Sequence, residues 1–316
     1  MIVFYDEIYN KELKERFLNT LDLEQYPPRW WERIFEKSYR FESDKNKDLY
    51  AFTVPEIIEF YKFLDIGTLA PLVVYNFNLV KYGQWALNEN LIFDGINHFN
   101  EFDSAQLATC LNKMKTKLSI VGYDDFIDLI NHKIVNDQDK FVFFCLFEGI
   151  KGKNYEEIWK MKMSDIDEKN RVVHLCTGRD VYVPEEFIQI AHKADIQEEY
   201  IGITGNLDMA TSRKLIPGIT IIKEKHNSQG NIARSIYRTM TRNIEAINSL
   251  NQVITSRSIR DSGLIYYLNK RAAKLGMSVQ EILYTPEKCQ DIIDKYQFNI
   301  DTRKRWCMQY EELLDQ

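Results

Sequence analysis

Strand signals in this chain are confined to one short stretch, and this most restricts the fold it can adopt. Two runs rich in β-branched residues, RVVHL at 171–175 and VYVP at 181–184, flank the five residues CTGRD, which include Gly178. Two such runs joined by a Gly-containing turn predict a β-hairpin. No second β region of comparable strength is present, so we expect a mainly α fold with one small antiparallel β-sheet.

Helix start signals lie on both sides of the predicted hairpin. Thr53 and Glu56 have capping-box spacing ahead of the apolar run IIEFYKFL, and Ser278 and Glu281 repeat that spacing. After Gly67, apolar residues recur at steps of three and four, which predicts an amphipathic helix. These signals indicate helices along most of the chain.

The distribution of signals divides the chain into two predicted domains. With 316 residues and 45% hydrophobic content, the chain can fill two cores of ordinary size. Residues 1–116 carry only helical signals, whereas residues 117–316 place the hairpin between helices. The basic run KMKTKL at 113–118 is the predicted link between the two domains.

Positive charge is concentrated in one part of an otherwise acidic chain. The formal net charge is −6 at pH 7, yet twelve Lys/Arg and only three Asp/Glu lie between Arg213 and Lys274. That stretch therefore carries +9, and the rest of the chain carries −15. Because anion binding follows the local field rather than the total charge, the stretch predicts a nucleic-acid partner. The alternative is a solvated helical face.

The sequence carries no signal for a membrane segment, a disulfide framework or a metal site. No apolar run approaches the roughly 20 residues needed to span a bilayer, and the N-terminus becomes charged by its sixth residue. The five cysteines are scattered without a C-x-x-C pair, and the five histidines lack metal-ligand spacing. We expect a cytoplasmic protein of a bacterial host, located on DNA, with no membrane segment, metal or cofactor.

The order of these elements resembles the tyrosine recombinases, or phage integrases. The run EGIKGKNYEEIWKMKMSDID at 148–167 is similar to the family helix that carries the first catalytic Arg, and ITSRSIRDSGLIYYL at 254–268 is similar to its His-x-x-Arg helix. Residues 50–115 resemble the family's core-binding domain and residues 120–300 its catalytic domain. The resemblance implies two domains that clamp a DNA duplex between them.

The resemblance also implies which residues would cleave DNA. In this chemistry a Tyr attacks a phosphodiester that two Arg side chains clamp, and a Lys in the hairpin acts as general acid. Arg260 matches the second clamping Arg, and Tyr296 lies at the position of the nucleophile.

Several other positions of the recombinase site are changed. Asn154 stands at the first clamping Arg, Arg257 replaces a His, and Glu287 replaces the second His. The hairpin turn offers Arg179 as its only base, and an Arg does not release its proton at neutral pH. The pattern therefore predicts a recombinase-like protein that binds DNA without cleaving it.

We accordingly expect a sequence-specific binder of double-stranded DNA that acts as a phage or prophage transcriptional repressor controlling lysogeny. In its degenerate site and composition the chain is similar to the master lytic-cycle repressors of SPβ-type prophages. The alternatives are an active but divergent tyrosine recombinase, with Tyr296 and Arg260 catalytic, and a scaffold that has lost DNA binding. The predicted DNA-binding residues are Lys151, Lys153, Asn154, Arg179, Arg234, Arg238, Arg257, Arg260 and Tyr296.

The C-terminal segment RKRWCMQYEELLDQ carries a short apolar stripe. In a predicted helix, Trp306, Tyr310 and Leu313 lie on one side. A terminal helix of this kind often packs into the neighbouring protomer in the recombinases. The stripe therefore predicts either self-association through this helix or packing back onto its own chain.

Overall fold

The computed structural model describes residues 7–22, 28–202, 211–224, 232–248 and 253–316. Within these ranges the protein is mainly helical, with two small antiparallel sheets, which confirms the predicted fold class. The chain forms two compact units: Met1–Thr116 with Lys304–Tyr310, and Lys117–Arg303 with Glu311–Gln316. None of the helices in the described ranges is long and apolar enough to cross a membrane.

The first unit is a helical assembly around an aromatic core. The ring of Phe17 lies 4.8 Å from Trp31 and 5.0 Å from Tyr82 between centroids, both in edge-on geometry. Its helices are α1 (Lys11–Leu18), α2 (Pro28–Lys45), α3 (Val54–Phe63), α4 (Leu69–Asn88), α5 (Ser104–Ala108), α6 (Lys113–Ser119, which crosses the unit boundary) and α15 (Arg303–Tyr310).

Capping residues close together in the sequence determine where α3 begins. The Glu56 carboxylate accepts a hydrogen bond of 2.8 Å from the backbone N–H of Thr53, which confirms the capping box at the start of α3. The run KMKTKL, predicted as the link between the domains, contains the boundary between the two units and is helical, as part of α6. Lys, Met and Leu, which make up five of its six residues, have high helix propensity.

The C-terminal helix α15 packs with the first unit, although we predicted it as part of the domain at residues 117–316. Trp306 and Tyr310 are buried, and the Gln309 side-chain carbonyl accepts a 2.9 Å hydrogen bond from the backbone N–H of Leu69 at the start of α4. Trp306 and Tyr310 of the stripe therefore pack onto their own chain.

The second unit places its strands among helices. Its helices are α7 (Tyr123–Lys133), α8 (Asp137–Phe147), α9 (Glu156–Trp159), α10 (Glu185–Ile196), α11 (Ile232–Asn248), α12 (Ser256–Leu275), α13 (Val279–Tyr284) and α14 (Pro286–Tyr296). Its strands are β1 (Ile166–Asp167), β2 (Val172–His174), β3 (Asp180–Tyr182), β4 (Glu199–Gly202) and β5 (Thr211–Lys214).

The predicted hairpin is present, and the expectation of a single sheet was wrong. Strand β2 pairs antiparallel with β3, with Val173 opposite Val181, and β1 adds a third strand to the same sheet. Strands β4 and β5 form a second antiparallel sheet. A strand of two residues, or of four such as TSRK, is too short for an alternating pattern to stand out.

Helix α8 is the centre of the second unit, and α12 packs closely against it. The residues of α8 from Phe141 to Phe147 are all buried. A Cβ atom added to Gly263 of α12 would lie 1.7 Å from the carbonyl oxygen of Phe147. Only a glycine allows the two helices to approach this closely, which fixes the position of α12 and of the Arg side chains at its start.

Candidate nucleic-acid interface

The loop after α8 turns sharply and exposes three of the predicted residues. Gly149 and Gly152 have φ angles of +78° and +66°, and Asn154 has a φ of 52°. The side chains of Lys151, Lys153 and Asn154 are exposed along this loop. The left-handed turns therefore place two cationic side chains and one amide at the surface of the second unit.

The carboxylate of Glu157, on α9, holds this loop by hydrogen bonds. This fully buried carboxylate accepts hydrogen bonds from the backbone N–H of Lys151 (2.9 Å), the hydroxyl of Thr177 (2.6 Å) and the guanidinium of Arg179 (2.9 and 2.7 Å). Burial raises the pKa of Glu157, but the hydrogen bonds from Arg179, Thr177 and the Lys151 amide lower it below its ordinary value. The group is therefore a buried carboxylate held in its charged form.

Arg179 uses all five of its N–H donors inside the protein. Besides two bonds to Glu157, it donates to the carbonyl oxygens of Asp294 (2.6 Å), Lys295 (2.8 Å) and Gly149 (3.3 Å). The last carbonyls of a helix have no partner within that helix, and a cation near them is stabilising. In this arrangement Arg179 caps the end of α14 and has no donor left for a phosphate, unlike the DNA contact predicted for it.

Arg260, at the start of α12, reaches the same helix end. Its guanidinium donates to the carbonyl oxygen of Tyr296, and more weakly to that of Gln297 at 3.5 Å. Burial lowers the pKa of Arg260, the charges of Arg179 and Arg257 lower it further, and Asp261 opposes them. The two Arg side chains thus converge on four successive carbonyls, from Asp294 to Gln297, at the end of α14.

Tyr296, the last residue of α14, is buried rather than exposed. Its side chain is 1% exposed, and a Cβ on Gly149 would lie 2.7 Å from its ring. Burial, and then the charge of Glu148, raises the pKa of the Tyr296 phenol well above its ordinary value. Both effects oppose formation of a phenolate at an accessible phosphate.

Arg257 differs from Arg260 although the two are three residues apart. Its side chain is 64% exposed, and its Nε lies 3.7 Å from the carboxylate of Asp261. An ion pair of this length at the surface is weak. Arg257 therefore presents its charge to solvent.

Helix α11 exposes a row of Arg side chains beside the loop. Ile236, Met240 and Ile247 lie on its buried side, whereas Arg234 and Arg238 are exposed one turn apart. Arg242 continues this exposed row, and Tyr237 beside it is 57% exposed. The helix packs against the turn at Lys153–Tyr155. We call the exposed residues Lys151, Lys153, Asn154, Arg234, Tyr237, Arg238, Arg242 and Arg257 the basic face.

The structure therefore separates the nine predicted residues into two groups. Lys151, Lys153, Asn154, Arg234, Arg238 and Arg257 are exposed, whereas Arg179, Arg260 and Tyr296 make internal contacts around the end of α14. Lys225, counted in the basic stretch, lies outside the described residues.

The sequence did not predict the internal contacts of Lys295. Its amine contacts Glu148 at 2.5 Å and donates to the carbonyl of Tyr182 at 2.9 Å. No local sequence pattern predicts these contacts, because both partners are distant from Lys295 in the sequence.

Comparison with known proteins gives matches for both units. Residues 8–88 match the family model described as "MrpR, N-terminal core-binding domain", and residues 123–314 match "MrpR, C-terminal catalytic domain". A Bacillus subtilis (strain 168) protein described as "SPbeta prophage-derived uncharacterized protein YopR" is 23% identical to this chain. The alignment covers 98% of this chain and 94% of that protein.

Proposed function

This chain belongs to the MrpR family, whose two domain models it matches in order, and from that premise we propose that it binds duplex DNA sequence-specifically. The observation that carries the proposal is the basic face. Exposed Lys and Arg side chains on α11, on the loop after α8 and at the start of α12 supply cations for DNA phosphates. Tyr237 adds an aromatic side chain between Arg234 and Arg238 that can contact a base edge.

The proposed role is transcriptional repression in a prophage. Binding without cleavage suits a repressor, and the Bacillus subtilis relative carries a prophage origin in its description. We expect the bound sites to overlap promoters of phage genes. A reporter driven by such a promoter should be silenced by this protein, and by a variant Tyr296→Phe to the same extent.

The absence of strand cleavage is part of the proposal. Asn154 cannot clamp a phosphate as an Arg does, Arg179 has no free donor and does not release its proton, and Tyr296 is buried. On a nicked suicide substrate containing a bound site, we expect no covalent protein–DNA band on a denaturing gel.

An active recombinase is the rival function, and one observation favours it. Although the Lys151 side chain is exposed overall, partial desolvation of its amine, and then the charge of Arg260, lowers its pKa, which makes it a better proton donor than an ordinary lysine. A covalent band that disappears in both Tyr296→Phe and Lys151→Ala would establish the recombinase and overturn the repressor proposal.

DNA binding itself is tested by mobility shift against a phage-genome fragment library at several salt concentrations. Affinity should fall steeply with salt, and Arg234→Ala/Arg238→Ala should reduce the slope of log affinity against log salt by about two. Lys193→Ala, an exposed charge on α10, is the matched control and should leave the slope unchanged. Undetectable binding at low salt would favour the scaffold alternative.

A further inference from the structure

One loop of the first unit presents an unusually exposed aromatic side chain. Phe93 is 107% exposed relative to a reference residue, and Ile96 beside it is 50% exposed. The loop that carries them, residues 91–97, is nevertheless held firmly. Asn97 donates to the carbonyl of Val80 at 2.9 Å, and Asp94 accepts from the backbone N–H of Ile96 at 3.1 Å. A loop tied by such hydrogen bonds that exposes a large apolar side chain is suited to anchor a partner.

The charge around Phe93 is negative. Asp94 and Glu101 hold His98 between them, at 3.0 and 2.7 Å from its two ring nitrogens. Asp103 adds a carboxylate on one side of this segment in the sequence, whereas Glu89 on the other side is paired with Arg16 at 2.6 Å. DNA phosphates would be repelled here, so the partner must offer an apolar pocket with positive charge.

The second unit contains a groove with these properties. Helices α7 and α12 line an open groove of about 980 Å³. Its apolar lining includes Leu118, Leu129, Ile265 and Ala273. We call it the α7–α12 groove. Its volume exceeds what one aromatic side chain requires, so a short loop can enter it.

Lysines surround the α7–α12 groove. Lys117, Lys133 and Lys270 line it, and none of them forms an ion pair within the described part of the chain. Asp125 and Asp128 also line it, and Nδ1 of His132 lies 2.9 Å from the carboxylate of Asp128, so lysine side chains outnumber acidic side chains by three to two. The groove therefore combines an apolar lining with unpaired positive charge, which complements the acidic Phe93 loop.

We propose that the Phe93 loop of one copy of this protein docks into the α7–α12 groove of a second copy. Phe93 and Ile96 then cover the apolar lining, and the carboxylate of Asp94 meets the lysines at its edge. Trp306 and Tyr310 are buried in their own chain, so this association does not use those two side chains, whereas Leu313 of the stripe lines the groove.

The contact is small, because one loop enters one groove. Interfaces of this size are weak in solution and become effective when two copies are held close together. Association should therefore require high protein concentration in the absence of DNA. The docking does not depend on the proposed function, since no part of the basic face takes part in it.

The test is sedimentation velocity of the DNA-free protein over a wide concentration range, with two separate variants. Phe93→Ser removes the anchor, and Lys270→Glu reverses one charge of the groove. Each should weaken self-association at least about 30-fold, the loss typical of a hot-spot residue. Ile196→Ser and Lys193→Glu on α10 are the matched controls, because both side chains are exposed outside the groove, and they should behave as the wild type.

A mixing experiment makes the test specific. Phe93→Ser keeps an intact groove and Lys270→Glu keeps an intact loop, so an equimolar mixture should recover dimers that neither variant forms alone. Circular dichroism melts establish that both variants are folded. A wild-type protein that stays monomeric throughout, dimers that persist in Phe93→Ser, or a mixture that stays monomeric would each overturn the proposal.

Discussion

Two buried carboxylates, Glu42 in the first unit and Glu157 in the second, each face a basic side chain, yet their pKa values shift in opposite directions. Lys14 contacts Glu42 at 2.6 Å, and Arg179 contacts Glu157 at 2.7 Å. Burial raises the pKa of Glu42 to about 7, whereas the hydrogen bonds of Glu157 lower its pKa. The contact distance therefore does not decide the protonation state.

The balance of charge explains the difference. Lys14 also lies 3.7 Å from Asp48, so one buried ammonium serves two carboxylates, and the charge of Asp48 raises the pKa of Glu42 further. Glu157 is matched by the forked guanidinium of Arg179, which donates to both of its oxygens. Glu42 also accepts hydrogen bonds on both oxygens, from Lys14, Ser38 and the backbone N–H of Leu49. The second carboxylate beside a single ammonium therefore distinguishes the Glu42 site from the Glu157 site.

The largest effect is expected from Arg179→Ala. The change leaves a buried charge on Glu157 and removes the donors to three backbone carbonyls, so unfolding free energy should fall by about 4 kcal/mol. Urea unfolding measures this loss. Arg179→Lys is the control that keeps the charge but not the five donors, and its loss should be intermediate. If Arg179→Ala cost less unfolding free energy than Lys14→Met, our conclusion that Glu157 is the acid held in its charged form would be wrong.

A smaller loss is expected from Lys14→Met. Glu42 is left without its ammonium, but its raised pKa lets it take up a proton near neutral pH, so the buried charge can be removed. We expect a loss of about 2 kcal/mol at pH 7 that shrinks as the pH is lowered. If the loss grew towards pH 5 instead, Glu42 would have to be charged throughout.

The two acids should also give opposite dependences on pH. Because the folded pKa of Glu42 lies above its ordinary value, the folded state binds the extra proton, and its contribution to stability falls as pH rises from about 4.5 to about 7. Glu157 has a lowered pKa, so its contribution is complete above its ordinary pKa and is lost on acidification below that value.

Glu42→Gln should therefore remove the fall in melting temperature between about pH 4.5 and pH 7. Glu59→Gln, an exposed acid on α3, is the matched control and should retain that fall. An unchanged pH profile in Glu42→Gln would place the titrating group elsewhere.

The sequence predicted what local signals determine. The capping boxes at Thr53 and Ser278 need partners only three residues away, and the β2–β3 hairpin is closed by its own turn. Charge clustering likewise indicated that Arg234 and Arg238 lie on an exposed helix face, because charged residues away from an apolar stripe face solvent.

The internal roles of Arg179 and Arg260 could not be predicted in the same way. Arg179 meets the carbonyls of α14 115 and 116 residues further along the chain, and a carbonyl carries no sequence signal. Arg271, counted with the basic stretch, is likewise paired with Asp291. A count of positive charges does not show which cations are already used by the fold.

The smallest effect is expected from Tyr296→Phe. Because the ring is buried at the end of α14, removing its hydroxyl should change DNA affinity by less than about twofold, well under the worth of one hydrogen bond to a phosphate. Titration by mobility shift measures this, with Arg234→Ala as the variant that should weaken binding. A loss of tenfold or more would mean that the hydroxyl reaches DNA. The end of α14 would then have to open, releasing Arg179 and Arg260 from its carbonyls, and both guanidinium groups would become available to the phosphate.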